Sequence, residues 1–228
     1  MNLSDLLNQL GIWALDSVTA IDLIAVSSNA FCGAILVMRP DHRREWNNVG
    51  IVGLAIVGGI GGTLVRDILL VQTPSALTNP FYLVFSILAG CLALLIVRRN
   101  KPDRLENLLK FMLAFSLPWF AIVGVQKASA VHLPLIGVLF VAAAGALSGR
   151  YFLDIASGVT PIYFTNGGWY LGSTLLAAAL YLILASRDLS IWWAAISAWL
   201  VTFVFRYFAM RLNWEKLVPW TKKVGTGL

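Results

Sequence analysis

Two stretches of the chain concentrate residues that can do chemistry. The first runs Gly58-Gly59-Ile60-Gly61-Gly62-Thr63-Leu64-Val65-Arg66-Asp67 and is closed by Pro74. The second runs Gly145-Ala146-Leu147-Ser148-Gly149-Arg150-Tyr151-Phe152-Leu153-Asp154 and is closed by Pro161. Glycine weakens a helix by roughly 1 kcal/mol per residue against alanine. A glycine cluster can therefore interrupt a helix and free backbone carbonyls. Free carbonyls cannot face lipid, but they can line a water-filled path or hold a cation. The competing reading is that the glycines let helices pack closely, as small-xxx-small stripes do. Arg66 and Asp67 are sequence neighbours and are not expected to face each other on a helix. Thr63 with Asp67, and Arg150 with Asp154, are spaced i,i+4 and can meet. Each stretch brings one Arg and one Asp, so the group is neutral. It reads as a buried ion-pair network, as the boundary of an ion path, or as both. No Ser-His-Asp, metal-binding or Walker-type arrangement is present, so neither an enzyme nor a resident cofactor is expected.

The elements that must position these residues follow from composition. The chain has 228 residues, 59% of them hydrophobic and 12% charged, with a mean hydropathy of +0.79. An ordinary soluble domain is about 25% charged. The chain is an integral membrane protein by composition, which excludes a soluble enzyme, a nucleic-acid-binding domain and a disordered chain. A spanning helix needs about 20 mostly apolar residues, so seven use roughly 150 and leave no room for a separate soluble domain. The whole chain, 1–228, is read as one transmembrane domain. The spans fall near 17–38, 49–70, 81–98, 107–126, 133–153, 167–186 and 190–211. Spans two and five are expected to be interrupted at their small residues, and span four to kink at Pro118.

Charge sets the orientation. Arg39, Arg43 and Arg44 fall between spans one and two, and Arg98, Arg99, Lys101, Arg104 and Lys110 between spans three and four. Arg211, Lys216, Lys222 and Lys223 follow span seven. Twelve of the seventeen Lys and Arg thus lie on one side, which places the N-terminus outside and the C-terminus in the cytoplasm. The net charge of +6 reflects these loops. Trp46, Trp192, Trp193, Trp214 and Trp220 sit at span ends, as an aromatic belt requires. Asp5 and Asp16, with no Lys or Arg among the first sixteen residues, do not fit the n-region of a cleaved signal peptide. Cys32 and Cys91 lie in apolar runs and read as small buried hydrophobes.

The chain resembles itself at an offset of 87 residues. Gly50, Gly58, Gly62, Asp67 and Ile68 meet Gly137, Gly145, Gly149, Asp154 and Ile155. Thr73-Pro74 meets Thr160-Pro161, and Thr78-Asn79 meets Thr165-Asn166. Each repeat holds three spans, about 17–98 and 107–186. An odd number of spans per repeat inverts the second copy, an arrangement that occurs in transporters and channels with their path where the halves meet. Span seven, about 190–211, lies outside the repeat and is expected to be peripheral. Asn79 and Asn166 read as caps of spans three and six. Asp22 and Ser27-Ser28-Asn29 make part of span one polar, Lys127 ends span four where it can snorkel, and His132 reads as a loop residue.

The pattern Gly-Gly-x-Gly-Gly-x-x-x-Arg-Asp-x6-Pro, in two inverted three-span units with a seventh span, resembles the trimeric intracellular cation channels. It is most similar to their prokaryotic members, many of which carry a domain named for glycine transport. The stretch Phe120-Ala121-Ile122-Val123-Gly124-Val125-Gln126-Lys127-Ala128 resembles the family's fourth span. The resemblance implies a homotrimer in the bacterial or archaeal plasma membrane, with lipid as a further partner. It also implies a pore within each protomer, lined by broken spans two and five, that passes monovalent cations and mainly potassium. It carries Gly58, Gly59, Gly61, Gly62, Arg66 and Asp67, with Gly145, Ser148, Gly149 and Asp154, onto the ion path. The second motif departs at Leu153, where the repeat would put Arg. The alternative function is a secondary transporter of a small zwitterion such as glycine. A non-conducting structural protein is a third.

Overall fold

The computed structural model describes residues 17–38, 46–99, 102–158, 160–161, 169–187 and 189–212. Among these, all regular structure is helical. Seven long helices follow in order: α1 (Ser17–Val37), α2 (Asn48–Leu69), α3 (Phe81–Arg99), α4 (Pro102–Ala130), α5 (Leu135–Ala156), α6 (Tyr170–Ala185) and α7 (Ile191–Arg211). A single helical turn, Ser75–Thr78, stands between α2 and α3. Five helices (α1, α2, α4, α5 and α7) are long and apolar enough to cross a membrane, while the apolar stretches of α3 and α6 are shorter. The predicted spans match these helices, apart from α4, which extends further at both ends. Arg39, Arg43, Arg44, Lys101, Lys216, Lys222, Lys223, Trp214, Trp220 and Asn166 lie outside the described residues.

The helices pack in two groups. α1, α2 and α3 contact one another, as do α4, α5 and α6. The groups meet through α1 on α4 and α2 on α5, and α7 lies against α4 and α6. α1 is 78% buried over its most apolar window, and α7 only 33%, so the interior is built around the first helix and the seventh is applied from outside. Lipid gives no hydrophobic drive for helices to associate, so small residues that let backbones approach carry the packing. Ala25, Ala30, Ala34, Ala121, Ala142 and Ala146 are all buried between helices.

α2 and α5 end alike. Both are 22 residues long. Leu70 N–H donates to Arg66 O and Val71 N–H to Ile68 O. At an offset of 87, Ser157 N–H donates to Leu153 O and Gly158 N–H to Ile155 O. Val71 and Gly158 both turn left-handed, with φ of 55° and 72°.

Two expectations are corrected here. Neither α2 nor α5 is interrupted at its glycines, since both run helical from end to end. The break after α2 falls at Leu70–Pro74, beyond the glycine cluster. Proline has no N–H to give a helix and pushes the residue before it into extended backbone. Inside the membrane, by contrast, every backbone group must be bonded, which holds a glycine-rich segment helical against its low propensity. α4 carries Pro118 inside a helix that runs on to Ala130. Cys32 is buried as expected, but Cys91 is exposed on α3.

Candidate functional site

The glycines build the crossing of α2 and α5. A Cβ on Gly62 would lie 2.5 Å from Gly145 O, and one on Gly149 would lie 2.6 Å from Gly58 O. A Cβ on Gly61 would meet the Gly149 Cα at 3.3 Å. Gly61, Gly62, Gly145 and Gly149 thus face one another across α2 and α5, while Gly58 joins them through its carbonyl, its missing Cβ lying nearest Gly33 of α1. Gly59 does not join them: its missing Cβ faces Ala30 and Val26 of α1 and Ser86 of α3. Asn29 of α1 closes the crossing, with Nδ2 donating to Gly58 O at 2.6 Å. Ser148 stays on its own helix, its hydroxyl 3.4 Å from Gly145 O.

A charged node lies at the C-terminal end of α2. Arg66 donates through Nη1 to Asp22 Oδ1 at 2.9 Å and through Nη2 to Asp22 Oδ2 at 2.8 Å. Its Nε donates to Asp67 Oδ1 at 2.8 Å. The Tyr82 hydroxyl donates to Asp22 Oδ2 at 2.8 Å. Asp67 Oδ2 accepts from Ser75 N–H at 2.7 Å, so the carboxylate caps the single turn that follows the break. Lys127 of α4 reaches Asp67 Oδ1 at 3.2 Å and the Ser75 hydroxyl. Four helices and the Ser75 turn therefore converge on two carboxylates and two cations. Asp22, Arg66 and Asp67 are almost wholly buried. Buried charges are tolerated when paired and hydrogen-bonded, and each of these has at least two partners.

A second node lies near the C-terminal end of α5, where Arg150 Nε donates to Asp154 Oδ1 at 2.6 Å across one helical turn. That contact is the one the i,i+4 spacing predicts.

Three expectations fail at the first node. Arg66 and Asp67 do meet, because the long arginine stem, held by Asp22, turns its Nε edge back toward its neighbour. Thr63 does not reach Asp67; its hydroxyl donates to Ile60 O at 2.8 Å within its own turn. Lys127 does not snorkel to water but ends on Asp67 and Ser75. Sequence reasoning also missed Asp22, Tyr82 and Ser75 as members. Asp22 carried a signal, being the one acid inside the apolar run of α1, whereas Tyr82 and Ser75 carried none. Asn79 caps α3 as expected, accepting from Phe81 N–H at 3.0 Å.

Comparisons with known proteins agree with this architecture. A family model described as "Glycine transporter" matches residues 19–98 and 110–186. A "UPF0126 membrane protein" of Deinococcus radiodurans is 28% identical over 199 residues, which span 86% of this chain and 89% of that one. Three solved structures superimpose on 86% of the chain. A prokaryotic TRIC channel crystallised in 0.5 M KCl gives a TM-score of 0.77 at 20% identity, over 97% of its own length. The TRIC orthologue from Rhodobacter sphaeroides gives 0.76 at 21% identity, over 98%. A structure described for conductance through TRIC cation channels gives 0.72 at 25% identity, over 94%. The relatives are channel and membrane proteins, and this chain is a multi-pass protein of the plasma membrane and not an enzyme. The chain belongs to the family described as "Glycine transporter" and has the fold of the prokaryotic TRIC cation channels.

Proposed function

We propose that the protein is a passive cation channel, permeable mainly to potassium, with one conduction path in each protomer of a homotrimer. The path runs along the α2–α5 crossing and is bounded by the Asp22–Arg66–Asp67–Lys127 node at one end and Arg150–Asp154 at the other. Potassium is the permeant ion rather than a resident cofactor. Seven spans, with the N-terminus outside, form two inverted repeats and a seventh helix. The common bounds and common left-handed ends of α2 and α5 support that reading, as does the pairing of α1 with α4 and α2 with α5.

The observation that carries the proposal is the closed charge balance of the first node. Conduction needs sites that bind an ion weakly enough to release it. Asp22 and Asp67 are both engaged by cations of the protein, so neither offers a deep well that would trap potassium. The same closure disfavours the transporter that the family's description suggests. A zwitterion needs a fixed partner for each of its charges, and here Asp22, Asp67 and Arg66 already bind each other.

Reconstitution into planar bilayers with asymmetric potassium chloride tests the reading. Unitary current steps that reverse near the potassium equilibrium potential are expected. Saturable glycine flux without unitary current would replace the channel by the transporter.

A further inference from the structure

α7 stands outside the two repeats, yet it buries an arginine. Arg206 is 1% exposed. Its Nη1 donates to Ser173 Oγ at 2.9 Å, and its guanidinium carbon lies 3.9 Å from the centroid of the Tyr170 ring. Both contacts fall on the first turn of α6. The adjacent residue of α7, Phe205, packs edge-on against Trp169 at 6.1 Å. Trp169 precedes α6 in a left-handed conformation, with φ of 47°. A bulky residue keeps that conformation only where its surroundings hold it.

The serine that Arg206 binds has a mate in the first half. Ser86 and Ser173 are related by the offset of 87. Ser86 Oγ donates to Tyr82 O at 2.7 Å, and Ser173 Oγ donates to Trp169 O at 2.6 Å. A hydroxyl that donates its one hydrogen keeps lone pairs for acceptance. In the second half those lone pairs take the guanidinium.

α7 is fastened to α4 as well. Trp199 Nε1 donates to Phe115 O at 2.9 Å, one residue from the carbonyl of Ala114 that Pro118 deprives of its helical donor. The Trp199 ring stacks on Trp119 at 5.3 Å and meets Phe115 edge-on at 5.2 Å. One helix therefore grips α4 at its proline and α6 at its first turn, and α5, with the Arg150–Asp154 node, packs against both α4 and α6.

We infer that α7 is a clamp on the second half, with Arg206 as the positioning residue that fixes the first turn of α6, and that the open–closed equilibrium of the channel depends on this clamp. The inference rests on the channel reading, and its test has one arm that does not. Arg206→Ala, Arg206→Lys and Ser173→Ala are compared with the wild-type protein by size exclusion, bilayer recording and amide hydrogen exchange in detergent. Mutations along contact networks shift coupling by about 2- to 30-fold, and a shift of that size in the open–closed equilibrium is expected for Arg206→Ala. Exchange at the amides of the first turn of α6 rises with it. Arg206→Lys keeps the charge and one donor and recovers part of both effects. Ser173→Ala removes the acceptor of Arg206 Nη1 together with the hydroxyl's own bond to Trp169 O, leaves the guanidinium on the Tyr170 ring, and gives a smaller change in the same direction. If Arg206→Ala fails to assemble, the other two variants carry the test.

An assembled Arg206→Ala protein with wild-type gating and wild-type exchange at α6 overturns the clamp. A lowered melting temperature with both of those unchanged also overturns it, because Arg206 is then structural only. If the wild-type protein itself shows no unitary current, the channel reading fails, and the exchange arm alone decides whether Arg206 positions α6.

Discussion

Asp22 and Arg66 lie 44 positions apart and meet as a two-pronged ion pair, with both carboxylate oxygens of Asp22 engaged by the two terminal nitrogens of Arg66. A planar guanidinium matches a carboxylate in this geometry, and the match fixes angle as well as distance. The pair joins α1 to α2 inside the first half. The free Nε edge of Arg66 goes to Asp67 and the Tyr82 hydroxyl donates to Asp22, so one ion pair links three helices.

Breaking the pair from one side leaves a buried charge without its main partner, which costs about 3–5 kcal/mol. Asp22→Asn should therefore lower assembled yield and melting temperature sharply. Tyr82→Phe removes one hydrogen bond to a charged group, worth about 1.5–3 kcal/mol, and should do less harm. Thermal melting of both variants in one detergent checks the order. Asp22→Asn melting at or above Tyr82→Phe would show that Asp67 alone satisfies Arg66.

Lys127 closes the charge balance from α4, with a side chain still 19% exposed. Asp67 keeps Arg66 and the Ser75 amide without it. Lys127→Met should therefore leave the protein assembled, while the node carries one net negative charge. A negative mouth concentrates cations, so the potassium current through that mouth should rise and saturate at lower potassium. Lys127→Arg should keep the wild-type conductance. Single-channel currents over a range of potassium concentrations test this, and an unchanged or smaller current in Lys127→Met would place the node away from the path.

What was legible in the sequence follows from the range of each interaction. Helix positions were, because hydropathy is local and a bilayer demands a fixed length. Arg150–Asp154 was, because one helical turn brings them together wherever the helix sits. The Asp22–Arg66 pair was not, since no local rule joins residues on separate helices. The i,i+1 rule excluded Arg66–Asp67 because it describes where Cβ atoms point, whereas the guanidinium lies several bonds further out. The glycine cluster was misplaced as a helix break because propensity scales describe helices in water. In the membrane, hydrogen bonding held the helix, and the break moved to Pro74.

The paired ends of α2 and α5 make a conformational prediction. Val71 is β-branched, 94% exposed and left-handed, whereas its repeat mate is Gly158. A left-handed L-residue costs roughly 1–2 kcal/mol, and glycine returns about 0.5–1 kcal/mol of that through chain entropy. Val71→Gly should raise stability slightly, and Gly158→Val should lower it. Melting curves of the two variants are expected to shift in opposite directions. A fall for Val71→Gly would mean that the Val71 side chain makes a stabilising contact in the assembled protein.

The α2–α5 crossing separates the two uses of glycine. If Gly62 served only to weaken the helix, alanine there would gain up to about 1 kcal/mol of propensity. The structure puts the new methyl 2.5 Å from Gly145 O, a backbone atom that cannot swing aside. Overpacking of this kind typically costs about 1–3 kcal/mol, so Gly62→Ala should melt lower and assemble poorly, as should Gly149→Ala against Gly58 O. Gly61→Ala meets Phe152 Cδ2 at 3.1 Å, a side chain with some freedom to shift, and should be milder. Gly53 lies on the same helix with nothing within 4 Å of its absent Cβ, so Gly53→Ala isolates propensity from packing and should be neutral or stabilising. Size-exclusion profiles and melting temperatures of the four variants, made side by side, rank them. A Gly62→Ala protein as stable as Gly53→Ala would mean that α2 and α5 do not cross this closely in the membrane, and the conduction path would have to be sought away from that crossing.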